Sequence, residues 1–338
     1  MTTPHGTLPT LDVHLTEADA DAALRADARR GLTSTPKVLR PQWLYDARGS
    51  ELFEQITALP EYYPFTAERE ALAGGADEIA RIAGADTFVE LGSGSSTKST
   101  LLLDAMSRTG ELRHYVPVDV SAAALEEAVP GLVAGYPDLE VHGVVGDFTA
   151  DLRSIPQVGR RLVVLLGGTI GNFEPEERRA FLDALSDALV PGEHFLVGTD
   201  LVKDEATLVA AYDDAAGVTA EFELNALTVL NRVLGADFDV EGFDYLAVWV
   251  PQSSRIEMRV RARRAMTVQV PALDLVVEFA DGEEMRTEIS TKFTRAGIAG
   301  ELDAAGFDAV GWFTDPGERF GLTLARRRRS GAEPDQER

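Results

Sequence analysis

The stretch Gly92-Ser93-Gly94 is the strongest local signal for ligand binding in this sequence. It follows an apolar run and precedes a helical pattern. Glycines at a strand-to-helix turn let a ligand approach the backbone, and the next helix begins with a partial positive charge. Thr97 stands where a dinucleotide fingerprint has its third glycine, and no Gly-Lys-Ser/Thr sequence completes a P-loop. Alone, the stretch is compatible with a ligand site or with a tight turn that binds nothing.

Acidic residues end the next two apolar runs. Asp119 ends the first of them, where a carboxylate can accept hydrogen bonds from both hydroxyls of a ribose. The second is followed by Gly146, Asp147 and Phe148, which suit an adenine because Asp147 can accept from its amine and Phe148 can cover a ring face. Ligands of open α/β sheets bind at the carboxyl ends of strands. Asp119 has a second interpretation, as a cap of the following helix.

Together, the glycine turn and the two acidic strand ends resemble the cofactor site of class I S-adenosylmethionine-dependent methyltransferases. A nicotinamide-dependent oxidoreductase is the competing class. The replaced third glycine disfavours it. So does a pair of strand-like runs at the end of the chain, because a terminal hairpin is a feature that the resemblance implies for methyltransferases.

Near-continuous apolar runs alternate with helical patterns between residues 86 and 201, which predicts a parallel sheet covered on both faces. The middle section, 202–291, contains alternating stretches and predicts a mixed α+β unit. A helix over 292–305 and strands over 307–313 and 319–325 would complete the sheet. The predicted fold class is therefore α/β: a doubly wound, mostly parallel, seven-stranded class I methyltransferase sheet with an inserted α+β substrate-binding domain. The predicted sheet strands are 87–91, 115–119, 141–145, 162–166 and 195–198, followed by the two terminal runs.

The same patterns predict the domain organisation. Residues 15–65 and 202–291 are assigned to the substrate-binding domain. Residues 66–201 and 292–327 are assigned to the S-adenosylmethionine-binding methyltransferase domain. A flexible N-terminus is predicted over 1–14 and a disordered tail over 328–338, and the run Arg326–Arg329 is interpreted as a solvated tail end.

Four further stretches narrow the resemblance: WLYDARGSELF (43–53), LPEYYP (59–64), LGGTIGN (166–172) and EMRTEIS (284–290). Together they resemble the L-histidine Nα-methyltransferase family of ergothioneine biosynthesis, and the similarity extends from about residue 30 to residue 326. The combination is specific, although no single stretch is. One departure is Ser95-Ser96-Thr97 before Lys98, where family members often carry an acidic residue.

The resemblance implies a role for each matching residue. S-adenosylmethionine would be the methyl donor, and Asn172 and Tyr62 would be the catalytic residues. Asn172 lies where the methyl group should be presented, and the Tyr62 hydroxyl would donate to the substrate carboxylate or imidazole. Cofactor contacts are implied for Gly92, Lys98, Asp119, Asp147 and Phe148. Substrate contacts are implied for Tyr62, Asn172, Tyr212, Thr219, Met258, Glu288 and Ser290.

The chemistry of these residue types agrees with the implied roles. Glu288 and Ser290 are two residues apart, so on a strand they face the same side and could grip an imidazole ring. Met258 would supply an adaptable apolar wall. Structural alternatives stay open: Tyr62 could fill a domain interface, Asn172 could cap a helix and Met258 could belong to the core. Glu288 fits a structural role least well, because a buried carboxylate needs a partner.

The implied activity is methyl transfer from S-adenosylmethionine to the α-amino nitrogen of L-histidine, three times, which gives the betaine hercynine for ergothioneine biosynthesis. Positioning should supply most of the catalysis because the donor is already activated. No dedicated general base is evident, and aromatic faces such as Tyr62 and Phe53 suit the growing cation. The alternatives are methylation of another small amine or amino acid, or a catalytically silent cofactor-binding homologue.

Composition sets further limits on partners and cofactors. A net charge of -24 and a pI of about 4.6 disfavour nucleic acid as a partner. There are no cysteines, and the five histidines show no HExxH spacing, so no metal is expected. The sequence contains no G-x-S-x-G motif, so a Ser-His-Asp hydrolase is not expected. No apolar run is long enough to span a bilayer and the N-terminus lacks the pattern of a signal peptide, so we expect a cytoplasmic, membrane-free protein, interpreted as a monomer.

Overall fold

The computed structural model describes residues 10–94, 98–150 and 152–329. Nine α-helices lie within these residues: α1 Glu17–Thr33, α2 Ala47–Thr57, α3 Tyr63–Ala83, α4 Thr100–Thr109, α5 Ala122–Gly135, α6 Pro175–Ala188, α7 Glu205–Tyr212, α8 Val218–Leu234 and α9 Arg295–Ala304. The strands described are β1 Thr10–Val13, β2 Lys37–Val38, β3 Thr87–Leu91, β4 His114–Asp119, β5 Glu140–Val145, β6 Arg161–Leu165, β7 His194–Asp200, β8 Phe243–Val250, β9 Arg255–Ala262, β10 Met266–Val270, β11 Leu275–Phe279, β12 Glu284–Thr291, β13 Phe307–Thr314 and β14 Phe320–Arg327.

The large sheet has the strand order β1-β5-β4-β3-β6-β7-β14-β13. Its first six strands pair in parallel, and β14 is antiparallel to both β7 and β13. This confirms the predicted α/β class, the mostly parallel sheet and the terminal hairpin. The carboxyl ends of the parallel strands meet at one edge, where open α/β sheets bind their ligands.

The predicted count of seven strands is wrong by one, because β1 adds an eighth strand at the sheet edge. Thr10–Val13 pair in parallel with His142–Val145. The prediction of a flexible segment over residues 1–14 is therefore wrong for this strand, and residues 1–9 lie outside the described part of the chain. A four-residue strand that is exposed at three of its positions shows no apolar run or alternation, so its pairing is set by β5.

Both faces of the sheet are covered. Successive residues of a strand point to opposite faces, so Phe88 of β3 joins one buried cluster and Val89 joins another. The Phe88 cluster includes residues of α3 and α4, and the Val89 cluster includes residues of α6 and α9. Every residue of β3 and β6 is buried, which explains why these strands appear in the sequence as continuous apolar runs.

A second sheet, in the order β2-β12-β9-β8, and the β10-β11 hairpin lie outside the large sheet. A third buried cluster joins these strands to α1, α2 and α8; Leu32, Leu52 and Phe222 are among its members. The N-terminal segment thus packs with the 202–291 section. α3 passes across residue 65, so the predicted domain boundaries stay a proposal.

Two predictions near the C-terminus need correction. The helix predicted over 292–305 begins at Arg295, where Thr294 caps it by accepting from Gly297 N at 3.0 Å. Lys292 lies before the helix and is buried. The arginine run is not wholly a tail, because its first two residues end β14 and Arg328 forms a 3.0 Å ion pair with Asp303. The predicted tail begins at residue 328, and its residues from 330 onward lie outside the described part of the chain.

Candidate active site

The glycine turn lies beside the ends of β4 and β5. Gly92 has a φ of +69°, a backbone conformation that glycine adopts without strain, and a Cβ atom there would lie 3.6 Å from the Phe148 ring. Gly94 N donates to Asp119 Oδ2 at 2.9 Å, and Ser121 N donates to Asp119 Oδ1 at 2.9 Å. The Asp119 carboxylate therefore braces the glycine turn and also orders the start of α5. Three of the five predicted cofactor residues meet here.

Asp147 and Phe148 follow β5. Asp147 Oδ1 accepts from the Thr149 backbone N–H at 2.8 Å and from its hydroxyl at 2.6 Å, which fixes the carboxylate within a tight turn. The Phe148 ring packs edge-on against Phe181 at 6.1 Å between centroids. This packing holds a half-buried aromatic surface beside Gly92, as an adenine would require.

Lys98 contacts a residue of α3 that the sequence analysis missed. Its ammonium forms an ion pair with Glu68 of α3, whose side chain is buried. Glu68 Oε1 also accepts from Gly167 N, just beyond β6, at 2.7 Å. The sequence signal that could have identified Glu68 is a glutamate within the apolar stripe of a helix, which is formed by Tyr63, Ala67 and Ala71. Glu68 thus links the helix after the glycine turn to the loop after β6.

Asn172 connects the cofactor edge to the second sheet. It ends a 3₁₀ turn, Thr169–Asn172, and its Nδ2 donates to Glu288 Oε1 on β12. The two segments approach closely, since a Cβ atom on Gly171 would lie 2.8 Å from Thr291 O. Asn172 does not cap α6, because Glu174 occupies the N-cap position and pairs with Glu177 in a capping box. The helix-cap interpretation of Asn172 is therefore excluded.

Glu288 lies close to Tyr45 and Tyr62, and all three side chains keep some solvent-accessible surface. Burial is the main reason that the pKa of Glu288 is raised to about 7, and the hydrogen bond from Asn172 and the charge of Lys292 oppose the rise. A carboxyl group with a pKa near 7 changes charge within the physiological range.

Aromatic rings contact one another beside Glu288. Tyr62 lies edge-on to Tyr212 at 5.9 Å and to Phe53 at 6.4 Å between centroids. Tyr45, which the sequence analysis quoted but gave no role, packs against Phe53 at 5.5 Å and against Phe222 at 5.3 Å. The faces of such rings suit the methylated ammonium group that the sequence predicts, because the face of an aromatic ring is electron-rich.

Ser290 and Tyr212 meet behind Glu288. Their hydroxyl oxygens lie 2.8 Å apart, and the buried ammonium of Lys292 donates to both at 2.7 Å. Lys292 is a second residue that the sequence analysis missed, because residue 292 was assigned to a helix. The Tyr212 hydroxyl is therefore engaged by protein groups.

Met258 and Thr219 occupy different positions. Met258 lies directly opposite Glu288 in the β9–β12 ladder, so the two side chains share a sheet face. It is also fully buried in a core cluster, which agrees with the core interpretation, and its role as a wall of the substrate site stays a prediction. Thr219 begins the buried face of α8, and its hydroxyl has no hydrogen-bond partner within the described residues.

Glu223 is a third residue that the sequence analysis missed. It lies one helical turn beyond Thr219, fully buried, and neither carboxyl oxygen has a regular hydrogen-bond partner among the described residues. Thr287 and Glu288 lie close to it without forming such a bond. Burial raises its pKa well above the usual range, and the charge of Glu288 adds to the rise. The available signal was a glutamate between Phe222 and Ala226 on the apolar face of a helix.

Two kinds of feature are absent from the described residues. No group of three or more histidine, aspartate or glutamate side chains there could hold a metal ion. No helix there combines the length and the apolar composition needed to cross a membrane.

The sheet order, the glycine turn and the acidic ends of β4 and β5 together define a class I S-adenosylmethionine-dependent methyltransferase. Comparison with known families narrows this class. The chain belongs to the S-adenosylmethionine-dependent histidine-specific methyltransferase family, whose model matches residues 24–327.

Curated relatives cover nearly the whole chain. It is 54% identical over 314 residues to a histidine N-alpha-methyltransferase of Mycolicibacterium smegmatis, with 93% of this chain and 98% of the relative covered. It is 51% identical to a histidine N-alpha-methyltransferase of Mycobacterium tuberculosis, with coverage of 92% and 97%. Ergothioneine biosynthesis protein 1 of Neurospora crassa is 31% identical and matches 87% of this chain, which spans 34% of that longer protein.

Proposed function

We propose that this protein transfers methyl groups from S-adenosylmethionine to the α-amino nitrogen of L-histidine, three times, to give hercynine for ergothioneine biosynthesis. The observation that carries the proposal is the contact between Asn172, at the cofactor edge of the large sheet, and Glu288, on β12 of the second sheet. This contact places a group suited to an α-amine beside a group suited to an imidazole. The family membership and the names of the relatives support the same substrate.

In this proposal the cofactor lies along the carboxyl ends of β3, β4 and β5. Gly92 lets it approach the backbone, Asp119 accepts from the ribose hydroxyls, and Asp147 and Phe148 hold the adenine. Lys98, fixed by Glu68, lies toward the methionine end. S-adenosylmethionine supplies an activated methyl group when bound, so the protein needs mainly to position the acceptor.

The substrate lies between the two sheets. Glu288 and Ser290 hold the imidazole, with Met258 as the apolar wall beside it. Asn172 orients the α-amine, and Thr219 is the weaker candidate for a contact there because its hydroxyl is buried without a partner. Tyr62 contributes an aromatic surface near the amine, where each methyl group increases the need to stabilise a cation. The unit formed by 15–65 and 202–291 is accordingly proposed as the substrate-binding domain.

Mass spectrometry of the reaction products tests the proposal. Purified protein incubated with S-adenosylmethionine and L-histidine should yield species that carry one, two and three added methyl groups. Fragmentation should place every methyl group on the α-nitrogen, because the imidazole is turned toward Glu288. A panel of other amino acids serves as the control. Ring-methylated product, or methylation of another amine in place of histidine, would contradict the proposal.

The Asp119→Ala variant should bind S-adenosylmethionine about 10- to 200-fold more weakly, which corresponds to roughly 1.5–3 kcal/mol for hydrogen bonds to a charged group. The variant loses the ribose contacts and also the brace on Gly94. Asp119→Asn keeps a neutral acceptor and should lose less affinity. Isothermal titration calorimetry measures the difference, with the exposed Asp187→Ala as the matched control. Unchanged affinity in Asp119→Ala would exclude a cofactor role.

A further inference from the structure

Lys292 is buried directly behind the proposed imidazole contact. Its side chain has no exposed surface, and it lies two residues beyond Ser290. The ammonium nitrogen lies 2.8 Å from Asp200 Oδ2, 2.7 Å from the Tyr212 hydroxyl and 2.7 Å from the Ser290 hydroxyl. It therefore joins the end of β7 to the proposed substrate site.

The number of donors on Lys292 fixes the direction of these hydrogen bonds. An ammonium group has three N–H donors and no acceptor. Asp200 takes one donor, and the Tyr212 and Ser290 oxygens take the other two. Both hydroxyl oxygens are consequently acceptors toward Lys292.

The charged form of Lys292 is supported by its surroundings. Burial lowers the pKa of Lys292, whereas the neighbouring Asp200 carboxylate raises it. Asp200 is itself held ionised, since the charges of Lys292 and Lys203 keep its pKa below the usual value in spite of burial. The Tyr63 hydroxyl also donates to this carboxylate at 2.8 Å. The ion pair between Lys292 and Asp200 is thus part of a fully hydrogen-bonded group.

Tyr212 and Ser290 share one more hydrogen bond, at 2.8 Å between their oxygens. The oxygen–oxygen distance fits either direction of this hydrogen bond. Because a phenol is a stronger acid than an alkyl hydroxyl, we assign Tyr212 as the donor and Ser290 as the acceptor. Ser290 then accepts from both Lys292 and Tyr212, which occupies its two lone pairs. The single group that Ser290 can still offer to a ligand is its own hydrogen.

We propose that Lys292 is a positioning residue that makes Ser290 a hydrogen-bond donor and so selects one tautomer of the substrate imidazole. The ring nitrogen that faces Ser290 is bare, and the nitrogen that faces the Glu288 carboxylate carries the hydrogen. This inference rests on the proposed function, because it requires an imidazole between Glu288 and Ser290. According to this inference, Ser290 donates a hydrogen bond to the ring nitrogen and does not accept one from it.

Nuclear magnetic resonance of L-histidine labelled with ¹⁵N in the ring tests the inference. The complex is formed with S-adenosylhomocysteine at mildly alkaline pH, where Glu288 is ionised. The wild-type protein should hold one neutral tautomer, with one protonated and one bare ring nitrogen. Ser290→Ala should shift the resonance of the bare nitrogen, and Glu288→Gln should shift that of the protonated nitrogen.

Lys292→Met should release Ser290 from its fixed role as a donor, so that the resonance of the bare ring nitrogen moves away from its wild-type value while Glu288 keeps the other nitrogen protonated. Its KM for L-histidine should rise about 2- to 10-fold, the effect of a neutral hydrogen bond, with a smaller change in kcat. Lys203→Met is the matched control, because Lys203 also donates to Asp200, at 2.6 Å, but contacts neither Ser290 nor Tyr212 in the described structure. It should leave the ring resonances unchanged.

Different outcomes separate the two proposals. If Lys292→Met keeps the wild-type resonances, or if Ser290→Ala shifts the protonated nitrogen, the role of Lys292 is overturned. The Ser290→Ala result is obtained with Lys292 intact, so it decides the hydrogen-bond direction even if Lys292→Met does not fold. If neither Ser290→Ala nor Glu288→Gln moves a ring resonance, the imidazole contact of the proposed function fails instead.

Discussion

The Glu288→Ala variant should use L-histidine about 10- to 200-fold less well, measured as kcat/KM. This corresponds to roughly 1.5–3 kcal/mol for a hydrogen bond to a charged acceptor. Glu288 is already held by Asn172 on one oxygen, so its direction is fixed before a substrate binds. The loss should therefore reflect the imidazole contact rather than a newly disordered side chain.

Selectivity should change together with the rate. Phenylalanine or leucine at the same site would leave the second carboxylate oxygen of Glu288, which Asn172 does not contact, desolvated without a hydrogen-bond donor, a penalty of several kcal/mol that histidine avoids. Removing Glu288 removes this repulsion, so the gap between histidine and the aromatic amino acids should narrow. The values of kcat/KM for histidine, phenylalanine and tryptophan measure the effect, with the exposed Glu278→Ala as the control. If all three values fall together with their ratios fixed, Glu288 is structural.

Much of the large sheet could be predicted from the sequence because its strands are buried on both faces. The predicted run 87–91 coincides with β3, and the run 162–166 differs from β6 by one residue. Burial on both faces leaves a continuous apolar signal that needs no knowledge of neighbouring strands. β1 lacked this signal, since it is a short and mostly exposed edge strand whose position depends on pairing with β5.

Site residues that belong to a sequence motif could be predicted. Site residues that are defined only by tertiary contacts were missed. Asn172 and Glu288 were both named from their motifs, although 116 residues separate them along the chain. No motif quoted in the sequence analysis assigned a role to Lys292, Glu68 or Glu223. Their partners lie on other elements, and a charged residue in an apolar pattern does not reveal which group it will meet. Helical or strand periodicity predicts burial but not the partner.

Glu288 should also make the protein less stable as the pH rises, because its folded-state pKa of about 7 exceeds the ordinary value of 4.5. The folded protein holds the proton where the unfolded chain has lost it. Stability is therefore lost between about pH 4.5 and pH 7 and stays constant above that range. At about 1.4 kcal/mol per pKa unit, a rise of the pKa from 4.5 to about 7 corresponds to a loss of roughly 3–4 kcal/mol.

The Glu288→Gln variant should consequently be more stable than the wild type at alkaline pH while losing activity on histidine. Glutamine keeps an oxygen that can accept from Asn172 but carries no charge, so the variant avoids the cost of an ionised carboxylate beside Glu223. The difference in the free energy of unfolding between variant and wild type should grow from about pH 4.5 to pH 7 and then level off. Urea unfolding at several pH values measures it, and Glu278→Gln on the exposed face of β11 should show no such growth. A pH-independent difference would mean that Glu288 is not a destabilised carboxyl group, and its place in the site would then rest on packing rather than on charge.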